Sequence, residues 1–250
     1  MNGRRREPVP ISSLTDTIAL IEASRRDSRT ILSEPTAKQV VANFGLEIPK
    51  GVCVLDVTGL PEAARTLRYP LVLKLVSPDV IHKSDVGAVR VALENERSLI
   101  EAARTMLADP RLSFARFEGF LVEEMLLDSL ELSMGGMIDA QFGPVLMIGA
   151  GGIFLEILND VSVRICPVVE EDVVQMLHEL RSYPLLTGAR GRAAIDLAQL
   201  VDVAMRLGGT EGVLMSLQHE ITEIDINPLL VRTLAPVAAD VHIVLREKQE

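Results

Sequence analysis

A lone lysine interrupts an otherwise apolar run, Leu71-Val72-Leu73-Lys74-Leu75-Val76. Its length and content predict a strand inside a core. An ammonium buried there without a partner costs on the order of several kcal/mol. Any fold that accommodates this run must therefore do one of two things. It can place Lys74 on an edge strand, where the alkyl stem carries the charge out to water. Alternatively it can give the charge a fixed use, such as a point contact to phosphate from a rigid element.

The remaining pattern mixes strands and helices without strict strand–helix alternation, which predicts an α+β chain of two lobes with a cleft between them. Residues 1–33 look like an extension with a helix over 13–26; 34–126 and 127–250 are the expected lobes. Helices are predicted over 34–44, closing at Gly45, and over 60–67, 96–107, 170–180 and 196–207. Strands are predicted over 51–57, 71–76, 88–93, 144–148, 221–231 and 236–244. Residues 119–125 and 130–138 are expected to be neighbouring antiparallel strands.

Composition narrows the function. The chain of 250 residues has a formal charge of −10, and its one basic cluster is Arg4-Arg5-Arg6, followed later by Arg25-Arg26. With 3% aromatic residues and no tryptophan, stacking platforms and basic stripes for nucleic acid are lacking. No run of eighteen apolar residues suggests a membrane span, and the polar start does not resemble a secretory signal. Cys53 and Cys166 both sit in apolar contexts and read as buried thiols of a reducing, cytoplasmic compartment.

Several segments concentrate reactive groups. Ile81-His82-Lys83-Ser84-Asp85 packs an imidazole, an ammonium, a hydroxyl and a carboxylate into a polar loop between two strands. Histidine is suited to accept and pass on a phosphoryl group near neutral pH, but a structural histidine fits the same loop. Glu123-Glu124 closes a strand; it fits either a solvated turn or a nucleotide hinge. Gly149-Ala150-Gly151-Gly152 follows a strand and could form an anion nest, although it is neither a P-loop nor a dinucleotide fingerprint. Glu223-Ile224-Asp225-Ile226-Asn227-Pro228 places three oxygen-bearing side chains on one strand face, and Asp240 on the next predicted strand could join them. Such a set suits Mg²⁺, or is the polar face of an edge strand. Arg190, between glycines, is either an anion contact or part of a connector.

In this order the segments resemble the ATP-grasp domain of ADP-forming acyl-CoA synthetases, typified by the β subunit of the acetyl-CoA enzyme. The likeness runs from about Leu32 to Val244, and His82-Lys83-Ser84-Asp85 with Glu223-to-Pro228 is its most specific pair. A more distant likeness is to the nucleotide-binding subunit of succinyl-CoA synthetase. The resemblance implies ATP or ADP bound between two lobes. Lys74 would be the phosphate lysine, Glu123 with the Glu124-Met125-Leu126 backbone the adenine hinge, and Glu131 the ribose contact. Gly151 and Gly152 would guide phosphate, and Arg190 would assist catalysis. Asn227 and Asp240 would hold Mg²⁺ with support from Glu223, while Asp225 would face a phosphohistidine formed on His82. CoA would be bound by an α-type partner subunit in a hetero-oligomer, because the family's CoA-binding lobe has no counterpart within these residues. Ala88 and Ala140 stand where many relatives carry glycine and proline. Two other readings are a carboxylate–amine ligase of another ATP-grasp branch and a non-catalytic ATP-sensing module. The histidine loop argues against the first, and the full set of Mg²⁺ candidates against the second.

Overall fold

The computed structural model describes residues 11–80, 83, 85–151, 160–189, 194–232 and 235–248. His82, Gly152 and Arg190 lie outside the described residues. The chain forms two compact units that divide it differently from the expected lobes. The smaller comprises Ser33–Pro35 and Ile48–Asp128; the larger comprises Met1–Leu32, Thr36–Glu47 and Ser129–Glu250. Among the described residues no helix is long and apolar enough to cross a membrane.

In the smaller unit, β1 (Gly51–Val54), β2 (Leu71–Val76), β3 (Val89–Leu93) and β4 (Gly119–Glu124) form an antiparallel sheet of order β1-β4-β2-β3. The two-residue period of β2 sends Leu71, Leu73 and Leu75 into a core shared with Leu60, Ala63, Leu99, Ala103 and Met106. Those residues come from α3 (Leu60–Thr66) and α4 (Glu96–Leu107). Phe120 and Val122 of β4 belong to the same core. Alternation therefore sends Lys74 and Glu123 to the opposite side of the sheet. Helix α4 starts on a capping box in which the Asn95 carboxamide accepts from the Ser98 amide at 2.9 Å.

The larger unit holds β5 (Leu130–Asp139), β6 (Gly143–Ala150), β7 (Val161–Ile165), β8 (Ile221–Val231), β9 (Val237–Ala238) and β10 (Val241–Leu245). The main order is β10-β8-β5-β6-β7, and β9 pairs with β8. One sheet face, including Leu132, Met134, Leu146, Ile148, Ile224 and Ile226, is buried. Helices α5 (Glu170–Glu179), α6 (Tyr183–Leu186), α7 (Leu197–Gly208) and α8 (Val213–Ser216) also belong to this unit. Gly208 of α7 lies so close to the sheet that a Cβ there would come within 3.1 Å of Leu146.

Three expectations are corrected. Residues 119–124 and 130–139 are not neighbours: β4 is flanked by β1 and β2, and β5 by β8 and β6, so neither has an edge left for the other. The N-terminal segment is built into the larger unit over its described part. Helix α1 (Ile11–Arg26) buries Ile21 fully and pairs Arg25 with Glu220, and the Leu32 amide donates to Ile243. Cys166 is buried, with its thiol pushed up to about 11, chiefly by burial, while Cys53 is exposed on edge strand β1. Helix α2 (Glu34–Asn43) ends as expected at Gly45, whose φ of 84° suits glycine. The Arg206 guanidinium, which donates to the Phe44 carbonyl at 3.1 Å, occupies the space a Cβ at Gly45 would take.

Candidate functional site

On the smaller unit the expected phosphate lysine does not reach water. Lys74 is 6% exposed, and its ammonium lies 2.6 Å from Glu34 Oε1 and 3.1 Å from Glu123 Oε2. The other oxygen of Glu34 lies 3.0 Å from Lys83 Nζ. The charges alternate in the order Lys83, Glu34, Lys74, Glu123, and each side chain is buried or nearly so. This removes the edge-strand reading of Lys74, since β2 is interior and both its neighbours are paired. Opposite charges within about 3 Å in a site shielded from water attract strongly and hold each other in one geometry. Glu34 is also the first residue of α2, where a carboxylate complements the helix dipole.

At the expected adenine hinge, Glu123 is tied to Lys74 by its side chain. The Glu124 amide donates to Lys50 O and the Met125 amide to Pro70 O, both at 2.9 Å, so neither is open to a base without breaking that bond. The Glu124 carboxylate accepts from the Arg68 amide at 3.1 Å and pairs with its guanidinium at 3.2 Å. Met125 Sδ lies 3.3 Å from the Ala92 amide.

On the larger unit the candidates share the face of the sheet opposite the buried one. Along β8 the residues Ile224 and Ile226 are buried while Glu223, Asp225 and Asn227 are not, as the two-residue period requires. Asp225 accepts from the Ser133 hydroxyl at 3.3 Å, across the pairing of β5 with β8. Asp240 lies in the turn before β10 rather than on a strand. The Asn227 amide donates to the Asp240 carbonyl at 3.2 Å, which brings the two residues side by side. Glu223 stands four residues from Asn227, about 13 Å along an extended strand. Among the described residues no three or more His, Cys, Asp or Glu side chains converge as a ready-made metal cluster.

Glu131, at the start of β5, is exposed, and its carbonyl accepts from the Gly151 amide at 3.0 Å. A Cβ on Gly151 would come within 2.7 Å of the Glu131 carbonyl carbon, so this approach requires glycine. Asp160, on the far side of residues 152–159, accepts from the Arg181 and Ser182 amides at 2.7 and 2.8 Å. Burial acts to raise its carboxyl, but the hydrogen bonds from Ser182 and Arg181 outweigh it and hold Asp160 below the usual range.

Sequence reasoning missed Glu34 and Lys83 as members of the charged group. Both lie in segments singled out for other reasons, and the demand of Lys74 for counter-charge was the signal that could have found Glu34.

Residues 23–245 match the model of an ATP-grasp domain. The chain is 35% identical over 228 residues to the acetate–CoA ligase [ADP-forming] I subunit beta of Pyrococcus furiosus, covering 90% of this chain and 96% of that one. The chain belongs to the ATP-grasp family, among the β subunits of ADP-forming acetate–CoA ligases. A dinucleotide-forming acetyl-coenzyme A synthetase 1 from Ca. Korarchaeum cryptofilum, solved with coenzyme A and Ca-AMPCP, superposes with a TM-score of 0.86. Identity is 33%, over 92% of this chain and 100% of that one. The same enzyme with coenzyme A and Mg-AMPPCP, its phosphohistidine segment pointing towards the nucleotide binding site, gives a TM-score of 0.77 at 33% identity, over 92% of this chain and 100% of that one. The two sheets described above are thus those of an ATP-grasp fold. Against longer relatives of the same family the chain spans only 30% of their length.

Proposed function

We propose that this ATP-grasp chain is the nucleotide-handling subunit of an ADP-forming acyl-CoA synthetase, moving a phosphoryl group between ATP and His82. The observation that carries the reading is Lys74: a buried ammonium held by two carboxylates on a rigid strand, in a chain aligned almost end to end with an acetate–CoA ligase β subunit. In the forward half-reaction a ring nitrogen of His82 forms a bond to the γ-phosphorus. The bond from that phosphorus to the bridging oxygen breaks, and ADP departs with the electron pair. The phosphoryl group then passes to a carboxylate, and CoA displaces phosphate from the acyl phosphate. All steps are reversible.

Phosphoryl transfer asks chiefly for alignment and charge neutralisation. Lys74 is assigned to the nucleotide phosphates, with Glu123 fixing its ammonium rather than reading adenine. Asp225 is assigned to the histidine ring, where a carboxylate favours the charged imidazole. Asn227 and Asp240, joined by a backbone hydrogen bond, would supply an amide and a carboxylate oxygen to Mg²⁺, which keeps its other positions for water and phosphate. When bound, Mg²⁺ neutralises charge on the transferred group. Glu223, two pleats away, supports this face from outside the ligand shell. Glu131 and Gly151 are assigned to ribose and phosphate, and Gly152 and Arg190 keep the phosphate-guiding and catalytic roles that the resemblance implies.

The acyl and CoA chemistry is assigned to a CoA-binding α-type partner in a hetero-oligomer. Relatives of more than three times the aligned length, which have room for a further CoA-binding part, support that division. ATP and CoA are cytoplasmic metabolites, and we place the reaction there. The test is incubation of the purified protein with γ-labelled ATP and Mg²⁺. Acid-labile, base-stable label is expected in the wild type and not in His82→Ala. Label that survives in His82→Ala moves the carrier elsewhere, and no label with or without a CoA-binding partner ends the proposal.

A further inference from the structure

Glu34 has no role of its own in the assignments above beyond holding Lys74, yet it is a buried carboxylate that engages two lysines of the smaller unit. Its side chain is 2% exposed, and its two oxygens are divided between two lysines: Oε1 lies 2.6 Å from Lys74 Nζ and Oε2 lies 3.0 Å from Lys83 Nζ. The lysines have different origins. Lys74 is in the middle of strand β2, with its backbone fixed by partners on both sides. Lys83 belongs to the turn between β2 and β3, where its carbonyl accepts from the Ala88 amide at 2.7 Å. It is also the residue that follows His82 in the chain. Glu34 itself is anchored at the start of α2 and lies more than forty residues from Lys83 in sequence. A buried carboxylate shared by two ammonium groups fixes the distance between them, because releasing either one leaves an uncompensated charge out of water.

We propose that Glu34 is a positioning residue that holds Lys83, the chain neighbour of His82, at a set distance from Lys74, so that phosphoryl transfer to His82 depends on it. The inference rests on the function proposed above and adds a requirement to it. Glu34 touches neither nucleotide nor the reacting atoms; it acts through Lys74 and Lys83. Removing its charge should therefore affect the rate of transfer far more than nucleotide binding.

The experiment is single-turnover labelling of His82 by Mg-ATP, with nucleotide affinity measured separately, for wild type, Glu34→Gln, Lys83→Met and the double variant. Glu34→Gln is expected to slow labelling at saturating ATP at least tenfold while affinity changes less than threefold. Lys83→Met keeps the Glu34–Lys74 pair, and a similar slowing is expected with affinity unchanged. Because both substitutions break the same Glu34–Lys83 contact, the double variant should be no slower than the slower single variant. Should Glu34→Gln fail to fold, Lys83→Met decides alone: labelling at the wild-type rate overturns the inference. Rates that multiply in the double variant, or a slowing that saturating ATP abolishes, also overturn it. Wild-type protein that takes no label removes the proposed function and this inference together, whereas labelled wild type with an unslowed Lys83→Met removes this inference alone.

Discussion

The two units solve the same electrostatic problem in opposite ways. In the smaller unit Lys83, Glu34, Lys74 and Glu123 are buried and neutralise one another side by side. In the larger unit Glu223, Asp225 and Asn227 lie along a strand face that is not buried, and Asp225 accepts from the Ser133 hydroxyl. A buried set of charges must balance itself before any ligand arrives, because desolvation is expensive. A half-exposed set can remain acidic and wait for a cation and a phosphate chain. The first arrangement gives a rigid ammonium of fixed direction, and the second leaves room for an ion.

Substitution should expose this difference in stability before it appears in activity. Lys74→Met leaves Glu34 and Glu123 buried beside an apolar side chain, and a loss of about 3–5 kcal/mol is expected. Asp240→Asn, on the open half, should stay within about 0.5 kcal/mol of wild type while weakening Mg²⁺-dependent nucleotide binding. Urea unfolding followed by nucleotide titration measures both. Equal destabilisation by the two changes would break the comparison.

A smaller effect concerns how each unit treats a buried carboxylate. Asp160 in the larger unit is held by the Arg181 and Ser182 backbone amides rather than by a lysine partner. Its folded value lies below its ordinary one, so its contribution to stability is complete above the unfolded value of 3.8 and is lost as pH falls through the depressed folded value. Asp160→Asn should cost about 1–3 kcal/mol near neutral pH, the penalty for disturbing a buried hydrogen-bonded group. The gap between wild type and variant should narrow only in acid. Thermal unfolding from pH 7 down to pH 3 checks this; a gap that widens in acid would contradict the assignment.

Much of the local structure was legible because it depends on short-range rules. The run around Lys74 and the helix Glu96–Leu107 fall where pattern places them, as do the cap at Gly45 and the one-sided polar face of β8. What was not legible depends on distant partners. Nothing near residues 119–139 says that β4 and β5 each have two better neighbours elsewhere. Strand β7 was missed because its apolar residues point outward, with Val163 and Ile165 51% and 57% exposed, while Ser162 and Arg164 turn toward Glu179. At the site, pattern singled out Lys74, Asp225 and Asn227 and the family likeness suggested their roles, but the counter-charge for Lys74 comes from a glutamate forty positions earlier in the chain.

The central claim is that this chain supplies the phosphoryl half-reaction through His82, and isotope exchange between labelled ADP and ATP measures that directly. With Mg²⁺ present and neither CoA nor acyl substrate added, the chain assembled with a CoA-binding partner is expected to exchange label, and His82→Ala is expected to abolish it. Absence of exchange with and without the partner, or exchange that persists in His82→Ala, would contradict the account.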